Sequence, residues 1–180
     1  MNVTYKHFLF FLGILISWES AAQTEKTYLD EGIQKAYNGQ YKQAMRAFDK
    51  ALKINPNYAA AYYNRGHIKY ELKDYQGSIA DCSKAIELDK SLTDAYFNLA
   101  IARYQLGEYH KALTEFDAAI ALNPDDAESY YWRANCKYKL KRLEAACEDW
   151  TKARKLGNSY ANAYLNKYCG EENSVETGDN

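Results

Sequence analysis

The chain repeats itself every 34 residues, and this period limits its architecture more than any single motif does. Four blocks align without a gap over residues 25–58, 59–92, 93–126 and 127–160. The fourth place of each block holds Tyr28, Tyr62, Tyr96 and Tyr130, and the eighth holds Gly32, Gly66, Ala100 and Ala134. Ala44, Ser78, Ala112 and Ala146 stand at the twentieth place, and Ala51, Ala85, Ala119 and Ala153 at the twenty-seventh. Small residues at these places let two antiparallel helices approach closely, and a larger side chain there overpacks at a cost of about 1–3 kcal/mol. Phe48, Cys82, Phe116 and Trp150 follow the twentieth place by four residues, on the same helix face, and fill the space beside it. Turns such as Asn38-Gly39-Gln40 and Leu106-Gly107-Glu108 divide a block into two helices. Asn55-Pro56-Asn57, Asp89-Lys90-Ser91, Asn123-Pro124-Asp125 and Gly157-Asn158-Ser159 end each block. The pattern predicts four stacked helical hairpins.

These residues resemble the tetratricopeptide repeat (TPR) family over about residues 25–169. The third block is nearest the family pattern, with Tyr96, Leu99, Ala100, Gly107, Tyr109, Ala112, Phe116, Ala119 and Pro124 in place. The departures are Glu31 for a usual leucine, Lys90 for proline, and Leu143 where other blocks have Tyr41, Tyr75 and Tyr109. Lys35, Lys69, Arg103 and Lys137 replace the ring usual at the eleventh place, and they are expected to pack their stems and keep their charges wet. The resemblance implies an all-α, right-handed superhelical solenoid of four helix-turn-helix units, with the domain spanning residues 23–170. Residues 161–169 begin like another first helix and then stop, which suits a C-terminal capping helix.

Ahead of the repeats, Lys6 precedes the apolar run Phe8 to Ile16, and Ser20-Ala21-Ala22 supplies small residues for cleavage. Residues 1–22 therefore read as a signal peptide, with a retained anchor as the rival. The run is shorter than the roughly 17–25 residues of a spanning helix. The expectation is an exported protein, periplasmic or extracellular, with no stable membrane insertion. Residues 171–180 are acidic and nearly devoid of apolar side chains, and are expected to be a disordered tail. With 23 Lys+Arg against 24 Asp+Glu the net charge is -1, so no bulk electrostatics favour nucleic acid.

Four cysteines in an exported chain invite a disulfide without fixing its pairing. Cys82 occupies a core place and reads as a small buried hydrophobe. Counting back from the hairpin turn sets Cys136 across from Cys147, whereas the cap helix brings Cys169 to the same second helix. The ending resembles the closing repeat of exported bacterial TPR proteins, and that resemblance favours Cys147 with Cys169 over Cys136 with Cys147. No CxxC spacing occurs, so no zinc or redox site is indicated.

In the family the first helices line a concave groove. The resemblance places Tyr63, Asn64, His67 and Tyr70 there in the second block, then Phe97, Asn98, Ile101 and Tyr104 in the third. The fourth contributes Tyr131, Trp132, Asn135 and Tyr138. Rings give contact area at low entropy cost and amides pair with an extended backbone, so the expected partner is a protein or peptide. With 18 tyrosines, the chain has rings for both hairpin packing and such a surface. Some family members clamp a C-terminal carboxylate. Asn64 and Asn98 match the clamp asparagine, but Leu29, Ile33, Asp94 and Asn98, or one block later Tyr63, His67, Glu128 and Trp132, stand where basic partners belong, which argues against that role. No phosphate loop, GxSxG, HExxH or Cys-His pair is present, so neither catalysis nor a cofactor or metal is expected. Acidic pairs such as Glu148-Asp149 read as caps or solvated faces. The reading is a non-catalytic interaction scaffold in the cell envelope. Its alternatives are a docking subunit of an envelope enzyme or assembly complex and a self-associating solenoid.

Overall fold

The computed structural model describes residues 24–170, where helices alternate with tight turns and no strand occurs. The leader read over residues 1–22 and the tail over 171–180 lie outside the described residues. The first hairpin is α1 (24–37) and α2 (Tyr41–Ile54), followed by α3 (Ala59–Glu71) with α4 (Tyr75–Leu88). Then come α5 (Thr93–Gln105) with α6 (Tyr109–Leu122), α7 (Ala127–Lys139) with α8 (Leu143–Lys155), and a short α9 (Ala161–Tyr168). Each helix packs on its chain neighbours, which makes a solenoid with several local cores.

One local device closes every first helix. The fifteenth place of the four blocks holds Gly39, Lys73, Gly107 and Lys141, all with φ between 60° and 76°. At each, paired backbone bonds run back into the helix, as from Gly107 N to Tyr104 O and from Glu108 N to Arg103 O. This is the Schellman stop, which needs a left-handed residue just past the helix. Two glycines supply it freely, while Lys73 and Lys141 hold it against a cost of about 1–2 kcal/mol each. Gly157 ends α8 in the same way. Between hairpins, Asn55 and Asp89 accept from the backbone N–H two residues on, turning the chain into the next helix.

The small residues sit where the helices cross. Ala44, Ser78, Ala112, Ala146, Ala51, Ala85, Ala119 and Ala153 are all inaccessible to water, as are Phe48, Cys82, Phe116 and Trp150 beside them. A Cβ at Gly66 would lie 2.8 Å from Cys82 Sγ and 3.2 Å from Asp81 Cβ. At Gly32 it would overlap the Phe48 ring. Gly66→Ala is therefore expected to destabilise by about 1–3 kcal/mol through overpacking, outweighing the gain of about 1 kcal/mol from better helix propensity. A urea midpoint equal to or above the parent's would show that α3 and α4 do not approach this closely.

The last hairpin is closed by α9. Ala161, Leu165, Tyr164 and Tyr168 pack onto Ala146, Trp150 and Ala153, and Cys169 is bonded to Cys147 across a separation of 22 residues. In the chain-entropy account a loop of this size contributes about 3 kcal/mol. Cys82 and Cys136 are free and buried, and burial pushes both thiols up to about 12. The alternative pairing of Cys136 with Cys147 does not form. Cys136 lies on the side of α7 that packs with Ala100, Ala112 and Phe116 of the preceding hairpin, while Cys147 packs in the cluster built around α9.

Candidate partner-binding groove

The curvature follows from which helices meet. Helix α3 touches α5 and α5 touches α7, whereas second helices of neighbouring hairpins make at most marginal contact. The first helices therefore form the inner layer. Crowding on that side decides which of the groove side chains remain available.

Three of the twelve do not face outward as expected. Asn98, Ile101 and Asn135 are only 5%, 7% and 4% exposed. Asn98 Nδ2 lies 3.4 Å from His67 Nδ1 on the preceding first helix, and Asn135 Oδ1 accepts from the Trp150 indole N–H at 3.0 Å. Ile101 belongs to the cluster with Phe116 and Cys136. A fourth, Tyr138, turns to the cap, with its ring 4.7 Å from that of Tyr168 and 5.8 Å from that of Trp150. Asn64 is half-buried and donates to Ala60 O on its own helix at 2.8 Å.

The rings from Tyr104 to Tyr164 of α9 form a continuous path, and Tyr70 is tied in beside it through Gln105. Tyr70 accepts a hydrogen bond from Gln105 at 3.2 Å. Tyr104 packs edge-on against Trp132 at 5.3 Å, Trp132 against Tyr131 at 5.5 Å, and Tyr131 against Tyr164 of α9 at 5.7 Å. Partial burial pushes the phenols of Tyr63, Tyr104 and Tyr131 up to about 12, so all three are neutral hydroxyls at physiological pH. Tyr63 and Phe97 line an open cavity of about 580 Å³ at the N-terminal ends of α5 and α7. His67 is exposed. Among the described residues no cluster could hold a metal ion, and no helix is long and apolar enough to cross a membrane.

A family model described as TPR repeat matches residues 35–73, and two described as tetratricopeptide repeat match 59–92 and 97–161. The chain is built of tetratricopeptide repeats. Among solved structures, this TPR chain is similar to the MamA protein at 26% identity and a TM-score of 0.74, over 80% of this chain and 79% of MamA. The Arabidopsis OM64 TPR domain is 25% identical with a TM-score of 0.64, over 66% of this chain and 98% of that domain. The first TPR of Spaghetti (RPAP3), solved with an HSP90 peptide, shares the fold at 23% identity and a TM-score of 0.64, over 66% of this chain and 97% of that one. No curated protein matches the chain in sequence.

The TPR stack also carries a charge device that reading the cations singly does not reveal. Arg65 bonds both oxygens of Asp81, at 2.8 and 2.7 Å, and reaches Asp49 at 2.7 Å, while Lys69 lies 2.8 Å from Asp81. Two repeats later Arg133, Asp149, Asp117 and Lys137 form the same figure at 2.7–2.8 Å. The expectation that the eleventh-place cations stay wet is corrected for Lys69 and Lys137, whose amines meet buried carboxylates. Asp149, read as part of a solvated acidic pair, is 5% exposed. The third repeat has a poorer version: Arg103 Nε stands 3.5 Å from Glu115 Oε1, and Glu115 Oε2 is buried without a hydrogen bond. Burial pushes the Glu115 carboxyl up, only partly countered by Arg103. The visible signal was the pairing of Arg at the seventh place with Asp at the twenty-third, 16 residues apart, in the second and fourth repeats alone.

Proposed function

We propose that this TPR protein is a non-catalytic scaffold that holds an extended protein segment along its concave face. The carrying observation is the half-buried ring path from Tyr104 through Trp132 and Tyr131 to α9, with Tyr70 held beside it by Gln105. Rings already fixed by their neighbours present area and hydroxyls with little entropy left to lose on binding. Asn98 serves this surface from below by meeting His67 of the preceding first helix, Ile101 by packing with Phe116 and Cys136, and Asn135 by tying α7 to α8 through Trp150. Export to the periplasm or beyond the cell is part of the proposal. It is supported by the leader-like sequence of residues 1–22 and by the Cys147–Cys169 bond, which suits an oxidising compartment.

The test is affinity capture with the parent chain, followed by titration of each captured protein against Tyr63→Ala and Tyr104→Ala variants whose helicity matches the parent. Binding is expected to weaken at least about tenfold, as for interface hot spots, while the exposed second-helix control His110→Ala leaves it unchanged. Unchanged affinity in both groove variants would place the partner on another face.

A further inference from the structure

The cavity at the head of the groove differs from the ring path in its charge. Its lining combines the Tyr63 and Phe97 rings with Asp94, Asp126 and Glu128, and includes no lysine, arginine or histidine. Asp126 accepts from Glu128 N at 3.2 Å and from the Ser129 hydroxyl, and Glu128 accepts from Asn158 Nδ2 at 2.8 Å. These bonds orient the two carboxylates and leave their charge in place. No ion pair among the described residues involves any of the three acids. Asp94 and Glu128 sit in the first turns of α5 and α7, where each helix end offsets about half a unit of negative charge. Three carboxylates against two helix ends still leave about two negative charges over a ring-lined hollow.

We infer that this cavity takes a lysine or arginine side chain of the bound segment, with Tyr63 and Phe97 against its methylene stem and the three carboxylates around its charge. The inference rests on the groove reading above and adds the chemistry of the occupant. A hollow lined by both rings and carboxylates complements a side chain that is apolar along its length and cationic at its tip. A neutral apolar side chain would desolvate the carboxylates without compensation, and an acidic one would be repelled. The Asp94 charge already reaches the cavity wall: after burial, it is the largest cause of the upward shift of the Tyr63 phenol.

The test is fluorescence anisotropy on the full chain with dye-labelled peptides of equal length, identical except at alternate positions holding lysine, glutamine or glutamate. The lysine peptide is expected to bind about tenfold more tightly than the glutamine peptide, and Asp94→Asn to remove about fivefold of that advantage. Glu144→Gln makes the same charge change beside the disulfide and is expected to alter neither. Equal binding of the lysine and glutamine peptides, preference for glutamate, equal losses in the two variants, or no binding by any peptide would overturn the inference. Glutamine-peptide binding that Tyr104→Ala abolishes, without a lysine advantage, would overturn the inference alone and leave the groove reading standing. Absence of all binding would count against both.

Discussion

Trp150→Ala is expected to lower stability by about 3–5 kcal/mol and to release the C-terminal end of the solenoid first. Among the described residues Trp150 is the largest fully buried side chain, and its ring packs against Tyr138, Tyr164 and Tyr168, the last two being the face by which α9 docks. Truncation leaves a cavity between α7, α8 and α9. It also strips the buried Asn135 Oδ1 of its indole donor, an added cost of about 1–3 kcal/mol where water cannot enter. Contacts in a repeat stack are nearest-neighbour, so the loss stays local: amide exchange should accelerate in α7–α9 and remain nearly unchanged in α3 and α4. The Cys147–Cys169 bond limits how far α9 can depart. The other repeats supply a second arm. The pair at the ninth and twenty-fourth places is Asn135 with Trp150 here, but Ile101 with Phe116 one repeat earlier. Trp150→Phe alone leaves the amide oxygen without its donor, and Trp150→Phe with Asn135→Ile is expected to recover most of that loss. Uniform exchange along the whole chain, or no recovery in the double variant, would contradict this account.

The hairpins were legible because close helix crossings demand small side chains at fixed intervals, and the eighth, twentieth and twenty-seventh places obey that demand in all four repeats. The large residue at the twenty-fourth place was legible for the same reason, even where Cys82 replaces a ring. The groove was only half legible. A rule that assigns outward places treats each first helix singly, whereas neighbouring helices cover it: Asn98 is buried toward His67 of α3, Ile101 in the cluster with Phe116 and Cys136, and Asn135 against Trp150 of α8. The left-handed residues Lys73 and Lys141 were hidden because lysine carries no turn signal; their place in the period, shared with Gly39 and Gly107, was the only one. The ion clusters were hidden more deeply. Their members lie on three helices, and the pattern recurs every second repeat, so a 34-residue comparison averages it away. Glu31 and Leu99 stand where Arg65 and Arg133 do.

Those clusters carry the second large effect. Arg133→Ala is expected to cost about 3–5 kcal/mol, because it leaves Asp149 buried with Lys137 alone against its charge. Most of this comes from the Asp149 arm, since the Asp117 side chain is 61% exposed and water screens that contact. Burial works to lower the affinity of Arg133 for its proton, but the bonds to Asp149 and Asp117 outweigh it and hold the charge more firmly than in water. Arg133→Lys should fall between, since one ammonium cannot span both oxygens of Asp149 as the guanidinium does. Replacing both partners, Arg133→Met with Asp149→Leu, removes the desolvation cost with the attraction and is expected to return stability to within about 1 kcal/mol of the parent, because Lys137 can then extend to water. Arg65→Ala should show the same loss two repeats away, with the exchange-sensitive region moved to α2–α4. Urea unfolding of the four variants with exchange mapping separates the cases. If Arg133→Ala and the Met/Leu pair lost equally, the clusters would act by attraction alone; the expected asymmetry instead makes them devices that penalise any register in which Asp81 or Asp149 is buried without its arginine.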